Sequence, residues 1–524
     1  MNLQPNYEPY SSVSFQHKQP TSPYPQDRND RINRDDLFLK ALENRGNISS
    51  LPLTTAIPHR WPRWNKKRTL FFAGILSLLL IYYWSRLQVL WAFLMIKLDN
   101  SLFDRGWIPC GTIRKQPMLY VHDTQHVQIV WEMNCGMREK DMWITWQPVS
   151  SKKAVNVRIS PLELDARHFA YKATIGPLDA DTNYRYDIRT NKGKVLTRHT
   201  FSWYANTEMQ TIRVAAMADN QFGMNTFATL LRQVSRLKHK PHYLLHAGDA
   251  VQQYFSLRQW ETDFVGPLTY YHLGQSMPMI YAHGNHDHDP TYEYHYTRTN
   301  PSNDPWYAFS MANGAIRWCI LDSNLDWIQQ DEWLRRELAS EASQQAHFRV
   351  VVVHVPPFIE YWEPEGWFEK KQSEWGAFVK DRFVPLFEKY GVDLVISGHQ
   401  HNYQRGERNG VHYAIIGGAG GDLDFEKVAD WRMYDSSVLD FHYVMMEFQP
   451  SDAGRWHLVW NAYNLNNQKV DTMQLDSKPP GSRLIEADHE GAVDGSVIEE
   501  LTLMDLDDGN IAQEEEADVV NDQP

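Results

Sequence analysis

Residues Gly284, Asn285, His286, Asp287, His288 and Asp289 are consecutive, so five candidate metal ligands or proton carriers directly follow a glycine. Similar groups recur elsewhere: Asp219 with Gln221, Asp249 after Gly248, His354, and His399 with His401 after Gly398. Carboxylates, an amide oxygen and imidazoles are the donor set of first-row divalent or trivalent ions. One carboxylate has two oxygens and can bridge two ions. Ions about 3.5–4 Å apart clamp the attacking and leaving oxygens of an in-line displacement. They also lower the pKa of a shared water, giving a bridging hydroxide near neutral pH.

Such a site needs elements that bring distant residues together. Each cluster ends an apolar run: "TIRVAAMADNQ", "HYLLHAGDA", "MPMIYAHGNHD", "FRVVVVHVPP", "VDLVISGHQH". Continuous Val/Ile/Leu runs read as buried strands, and helix-like segments lie between them. Five strands delivering Asp, Asp, Asn-His, His and His-x-His from their C-terminal ends predict a layered α/β sheet with one functional edge. Gly248, Gly284 and Gly398 suit tight turns close to metals.

The order Asp, Gly-Asp, Gly-Asn-His-Asp, His, Gly-His-x-His resembles that of the calcineurin-like metallophosphoesterases. Residues 211–475 resemble the purple acid phosphatase branch in "PLFEKYGVDLVISGHQHNYQR", "QQDEWLRRELAS" and "IIGGAGGD". The resemblance implies an α/β catalytic domain built as a layered β-sandwich flanked by helices. It implies two metal ions drawn from Fe, Mn or Zn, with Asp249 bridging. Asp219 and His401 would complete one site; Asn285, His354 and His399 would complete the other. His286 would contact the phosphate and protonate the departing alkoxide, and Asp287 would orient it. Two positions depart from the pattern. That branch has Gly-Asp-x-x-Tyr, whereas "GDAVQQY" puts Gln252 at the Tyr position, so the coloured iron–tyrosinate is not expected. Other metallophosphoesterases have Asp-x-His at the first motif; here Gln221 replaces that His. Its oxygen would be a harder, weaker ligand favouring Mn²⁺ or Fe, or else the first site binds its ion poorly.

Neighbouring residues draw plainer expectations. His283, His288 and His295 match no ligand position and read as surface or rim histidines. Arg405 reads as half of a structural ion pair. "GGAGG" is no nucleotide loop, because no Lys-Ser/Thr follows it. Cys319 lies in an apolar run and reads as an inert buried thiol; an oxidising compartment would permit a Cys110–Cys135 disulfide, which the sequence leaves open for want of geometry.

Residues 116–205 show short alternating runs between turn residues and predict a small all-β sandwich. Within it, "GPLDADTNYRYDIRTNKG" resembles the late part of a fibronectin type III domain, which the purple acid phosphatase branch also carries before its catalytic domain.

The ends differ from this middle. Residues 1–68 are polar, Pro-rich and without period, and predict a disordered region. Residues 69–84 carry no charge, about 24 Å as a helix; continuing past Arg86 and Gln88 to 96 gives the length of one transmembrane helix. A buried core helix is the alternative. Arg60, Arg63, Lys66, Lys67 and Arg68 before the segment, with Tyr82, Tyr83, Trp84 and Trp91 in it, favour a single span. The positive-inside rule then predicts a membrane protein with a cytoplasmic N-terminus and an exoplasmic catalytic domain. The sequon at Asn47 would face the cytoplasm and go unused. Residues 476–524 predict an acidic disordered tail: from 481 onward there are 14 Asp/Glu against Arg483 alone. The formal charge of −13 gives no basis for nucleic-acid binding.

Together these readings predict a membrane-anchored hydrolase of small phosphate esters, monoesters first and diesters second. The competing reading is a binding or adhesion protein with a degraded catalytic scaffold, suggested by Gln221 and Gln252. The Trp-rich loop at 360–376 reads as a lid, a pocket wall or a packed surface loop.

Overall fold

The computed structural model describes residues 66–478, apart from 136–140, 205–209, 290, 292, 300–303, 325–327, 362–376 and 452–453. The expected N-terminal region up to 65, the acidic tail from 479 and most of the loop at 360–376 lie outside the described residues.

Helix α1 (Lys66–Asp104) opens the described chain. Strands β1 (Thr112–Val121), β2 (Val127–Asn134), β3 (Met142–Pro148), β4 (Val155–Ile159), β5 (Leu162–Glu163), β6 (His168–Ile175), β7 (Thr182–Thr190) and β8 (Val195–Trp203) follow. Then come β9 (Ile212–Met217), helix α2 (Met224–Arg236), β10 (Tyr243–His246), β11 (Met279–Tyr281), β12 (Tyr307–Met311) and β13 (Ile316–Ile320). Helix α3 (Ile328–Ala339), β14 (Phe348–Val352), β15 (Leu394–Ser397), β16 (Tyr403–Arg408), β17 (Val411–Ile416), β18 (Tyr434–Val438), β19 (His442–Pro450), β20 (Trp456–Asn464) and β21 (Lys469–Asp476) complete it.

Two sheets make the catalytic body. One runs β21-β20-β19-β9-β10-β11 and the other β12-β13-β14-β15-β17-β16-β18. Alternation along the strands explains the layering. Ile212, Val214 and Ala216 of β9 meet Phe348, Val350 and Val352 of β14 in the core between the sheets. Ala215 and Met217 face outward onto Phe227, Leu230, Leu231 and Val234 of α2. Val351 faces the other way, onto Leu334 and Leu338 of α3. The expected layered β-sandwich flanked by helices is therefore present.

The small sandwich is not a separate bead. Its strands β1-β2-β6-β5 continue the first catalytic sheet, because β1 pairs in parallel with β11 at Tyr120 and Met279. Its second sheet is β4-β3-β7-β8. One apolar core runs through both parts, from Trp131 and Tyr184 to Trp318 and Trp460. A buried charge cluster also ties them. Glu132 accepts from Lys115 Nζ at 2.8 Å and from Tyr296 Oη, and its other oxygen meets His168 Nδ1 at 2.8 Å. Burial would raise the Glu132 carboxyl, but Lys115 and His168 hold it at about 2. Cys110 and Cys135 form a disulfide beside this region, and Cys319 is buried and free.

The expected membrane span has no counterpart among the described residues. Among the described residues no helix is long and apolar enough to cross a membrane. The side chains at 66–72, 78, 80–82 and 85 lie outside the described residues. One face of the extension from Gln88 to 96, on which the expected length relied, packs on protein. Val89, Ala92 and Ile96 are buried. Gln88 Oε1 accepts from Arg232 Nε at 3.0 Å and Arg236 Nη2 at 2.5 Å. Further on, Asp99 pairs with Arg114 at 2.7 Å. An apolar run alone cannot say whether lipid or protein covers it.

Candidate metal centre

Strand register gathers the site. Met217, His246 and Tyr281 sit side by side on the parallel strands β9, β10 and β11. Asp219, Asp249 and Asn285 follow two, three and four residues later. In the facing sheet Val352 is level with Ile396, so His354, His399 and His401 emerge at the matching edge.

The turns are constrained where they deliver ligands. Asp219, Asp249 and His399 all have positive φ, at 61°, 56° and 66°. Left-handed backbone at a residue with a Cβ costs about 1–2 kcal/mol, and such outliers cluster at functional sites. Gly248, at φ 103°, leaves room for His354: a Cβ there would lie 2.4 Å from Nδ1. A Cβ on Gly284 would lie 2.1 Å from Asp249 Oδ1.

One half of the centre is tight. Asn285 Oδ1 lies 3.1 Å from His354 Nε2 and 2.9 Å from His399 Nδ1. His354 Nε2 is 3.4 Å from Asp249 Oδ2. Ligand atoms of Asp249, His354 and His399 all fall within 4.8 Å of one another. Atoms sharing a first-row ion, each about 2.0–2.1 Å from it, sit roughly 3 Å apart, so these donors fit one. His354 Nδ1 donates to Ala247 O at 2.8 Å, which turns Nε2 inward.

The other half is looser. His401 Nε2 is 3.6 Å from Asp219 Oδ1, and its side chain is 21% exposed. Gln221 Nε2 lies 3.2 Å from Asp249 Oδ2 and 3.3 Å from His401 Nε2. Gln221 Oε1 is buried without a hydrogen-bond partner among the described residues. The amide nitrogen faces the carboxylate and the imidazole, and a half-turn of the amide would bring the unanswered oxygen to that position as a cation ligand. Backbone groups steady this half: His401 Nδ1 donates to Asp422 O at 2.8 Å, and His401 N donates to Asp424 Oδ2 at 2.7 Å.

Electrostatics ask for cations. Asp219, Asp249 and Asp287 are each at most 1% exposed. Burial, with the charge of Asp249 nearby, pushes the Asp219 carboxyl well up. Burial would lower the His354 imidazole, but Asp249 raises it to about 10. Burial works against ionised Asp249, yet His354 and His286 hold it below its ordinary value. Buried carboxylates at this spacing need positive charge, and bound ions supply it.

His286 sits at the mouth, half-buried. Its backbone N–H donates to Asp249 Oδ1 at 2.9 Å, and Nδ1 faces Gln252 O at 3.2 Å. That carbonyl orients the ring from its Nδ1 side. Asp287, expected to orient His286, has a different setting. Its oxygens accept from Gly284 N at 2.7 Å, Asp249 N at 3.2 Å and Tyr281 Oη. It pins the turns that carry Asp249 and Asn285, so its influence on His286 runs through the backbone.

The neighbours sort differently. His283 is buried rather than at the rim, bonded to Thr297 Oγ1 at 2.8 Å and stacked on Tyr294. His288 and His295 are half-buried. Arg405 pairs with Asp471 at 2.6 Å, the structural role expected of it. Sequence reasoning missed the work of the glycine loop: a Cβ on Gly421 would lie 2.6 Å from His401 Cε1, and one on Gly417 would lie 3.0 Å from Asp219 Oδ2. It also missed Asn220, whose amide bridges Ala250 O at 3.0 Å and Asp263 O at 2.8 Å while Oδ1 meets buried His246 Nε2 at 2.7 Å. The Asn in "ADNQ" was a visible signal.

This geometry agrees with the chain's relatives. Residues 212–403 match the family described as calcineurin-like phosphoesterase. A probable inactive purple acid phosphatase of Arabidopsis thaliana is 24% identical over 281 residues, 44% of this chain and 44% of its own length. A purple acid phosphatase of Ipomoea batatas is 32% identical over 158 residues, 26% of this chain and 31% of its own. The chain thus spans less than half the length of either. The structure of a purple acid phosphatase from yellow lupin seeds superposes with a TM-score of 0.58 at 17% identity, covering 69% of this chain and 74% of that one. Residues 212–403 thus carry a calcineurin-like phosphoesterase domain, similar to that of the purple acid phosphatases.

Proposed function

We propose that this protein hydrolyses phosphate esters of small molecules at a two-ion centre, with monoesters as first substrates. One observation carries the reading: Asp249 lies between a tight set (Asn285, His354, His399) and a looser set (Asp219, Gln221, His401). Two ions held there would supply water activation and charge neutralisation at phosphorus. The chain's own groups do the rest. Nε2 of His286 holds a proton at the mouth for the departing oxygen, while Gln252 O fixes the ring. Asp287 keeps the two ligand turns in register.

We further propose that the ions are Mn or Fe at the Gln221 half and Fe, Mn or Zn at the other. The Cys110–Cys135 disulfide supports an oxidising, exoplasmic compartment for the catalytic body. The eight-stranded front section is proposed to be of fibronectin type III kind, serving as a platform hydrogen-bonded to the catalytic sheet.

A second reading, a binding protein on an inactive scaffold, draws on Gln221, Gln252 and the relative named as probably inactive. Assay of the purified protein with Mn²⁺, Fe or Zn²⁺ on p-nitrophenyl phosphate and its bis ester separates the two. Turnover of the monoester supports the main proposal, and turnover of the bis ester alone makes it a diesterase. No turnover and no bound metal would leave the binding protein.

A further inference from the structure

Among the described residues from 83 to 98, helix α1 is apolar on two opposite faces, one buried and one exposed. At about 100° per residue, Leu87, Leu90, Trp91, Leu94, Met95 and Leu98 share an arc of roughly 140°. All six are exposed, from 37% to 60%. Val89, Ala92 and Ile96 point the opposite way and are buried against the body. Tyr83 and Trp84, 44% and 54% exposed, continue the open face one turn earlier. Single exposed apolar residues are ordinary, but a continuous stripe of this kind marks an interaction surface.

The borders of the stripe are basic. Arg86 and Lys97, both exposed, lie along one edge. Along the other, Gln88 takes Arg232 and Arg236 from the end of α2. The chain then runs through Lys238, His239 and Lys240, all exposed, and residues 232–242 include no Asp or Glu.

We propose that the α1 stripe and the basic segment at 236–240 form a docking surface for an anionic lipid bilayer, with α1 lying along the interface. An apolar stripe bordered by Lys and Arg, with Tyr and Trp at its margin, matches the graded polarity of a membrane surface. Anionic headgroups answer the basic border. A second copy of the chain fits less well, since a two-fold contact would set basic border against basic border. Docking in this way needs no helix that crosses the bilayer.

The test is flotation of the purified full chain with vesicles of phosphatidylcholine, with and without phosphatidylserine. Wild type is expected to float with the anionic vesicles and more weakly with the neutral ones. Lys238→Gln/Lys240→Gln should weaken anionic binding by about tenfold or more, and leave neutral binding unchanged. Leu90→Ser/Leu94→Ser should abolish both, with an unchanged circular dichroism spectrum. The proposal is overturned if wild type stays with the solvent, or if both variants float like wild type. It is equally overturned if the Leu pair instead dissolves a dimer of the chain that has no affinity for vesicles.

Discussion

The two halves of the metal centre are built to different standards. Around Asn285, itself half-buried, the donors of His354 and His399 lie within 3.1 Å, and both imidazoles are buried. Around His401, the separations reach 3.6 Å, one ligand is partly exposed, and an amide stands where related enzymes place an imidazole. The difference is one of support. His354 and His399 lie two residues past the ends of β14 and β15, whereas His401 lies four past β15, farther out in the same turn, where Asp422 and Asp424 hold it. One ion is therefore expected to be held firmly and its partner exchangeably.

Asp249→Asn gives the largest effect, because it removes the carboxylate both halves share. Metal analysis should show both ions lost; loss of one alone would mean Asp249 does not bridge. His286→Ala comes next. It should slow turnover of alkyl esters by about 10²–10⁴-fold and p-nitrophenyl esters much less, and equal losses on both would remove its acid role.

Glu132→Gln sharpens the comparison from outside the centre. This carboxylate is as buried as those of the site but is already answered by Lys115 and His168. Its removal should cost about 3–5 kcal/mol in denaturant unfolding, with or without chelator. Its folded pKa of about 2 lies below the ordinary 4.5. Its stabilisation is thus complete above pH 4.5 and is lost as pH falls toward 2. A cost that appeared only in chelator would tie Glu132 to the ions instead. Gln221→Ala is the mildest change. It should loosen only the weaker ion, by about ten- to a hundredfold in a competition titration; no change would mean its amide oxygen is no ligand.

Much of this was legible in the residues. Five apolar runs ending in polar clusters specified the parallel strands, but not their division between two facing sheets, β9-β10-β11 in one and β14-β15 in the other. Other features were hidden because they arise from packing. The β1–β11 pairing that fuses the front sandwich to the catalytic sheet has no local signature. The run from 69 to 96 has the composition of a lipid span, yet residues 89, 92 and 96 pack on protein, which sequence pattern alone cannot distinguish. Asp287 was expected beside a ring and instead caps two turns, a choice made by backbone geometry.

Stepwise titration of the metal-stripped protein with Mn²⁺ addresses the central claim most directly. The structure leads us to expect two ions per chain, the first at least tenfold tighter, with Asn285→Ala abolishing the tighter step and leaving the weaker one. A single step, two indistinguishable ones, or an Asn285→Ala variant that keeps its tight ion would contradict a shared centre of unequal halves.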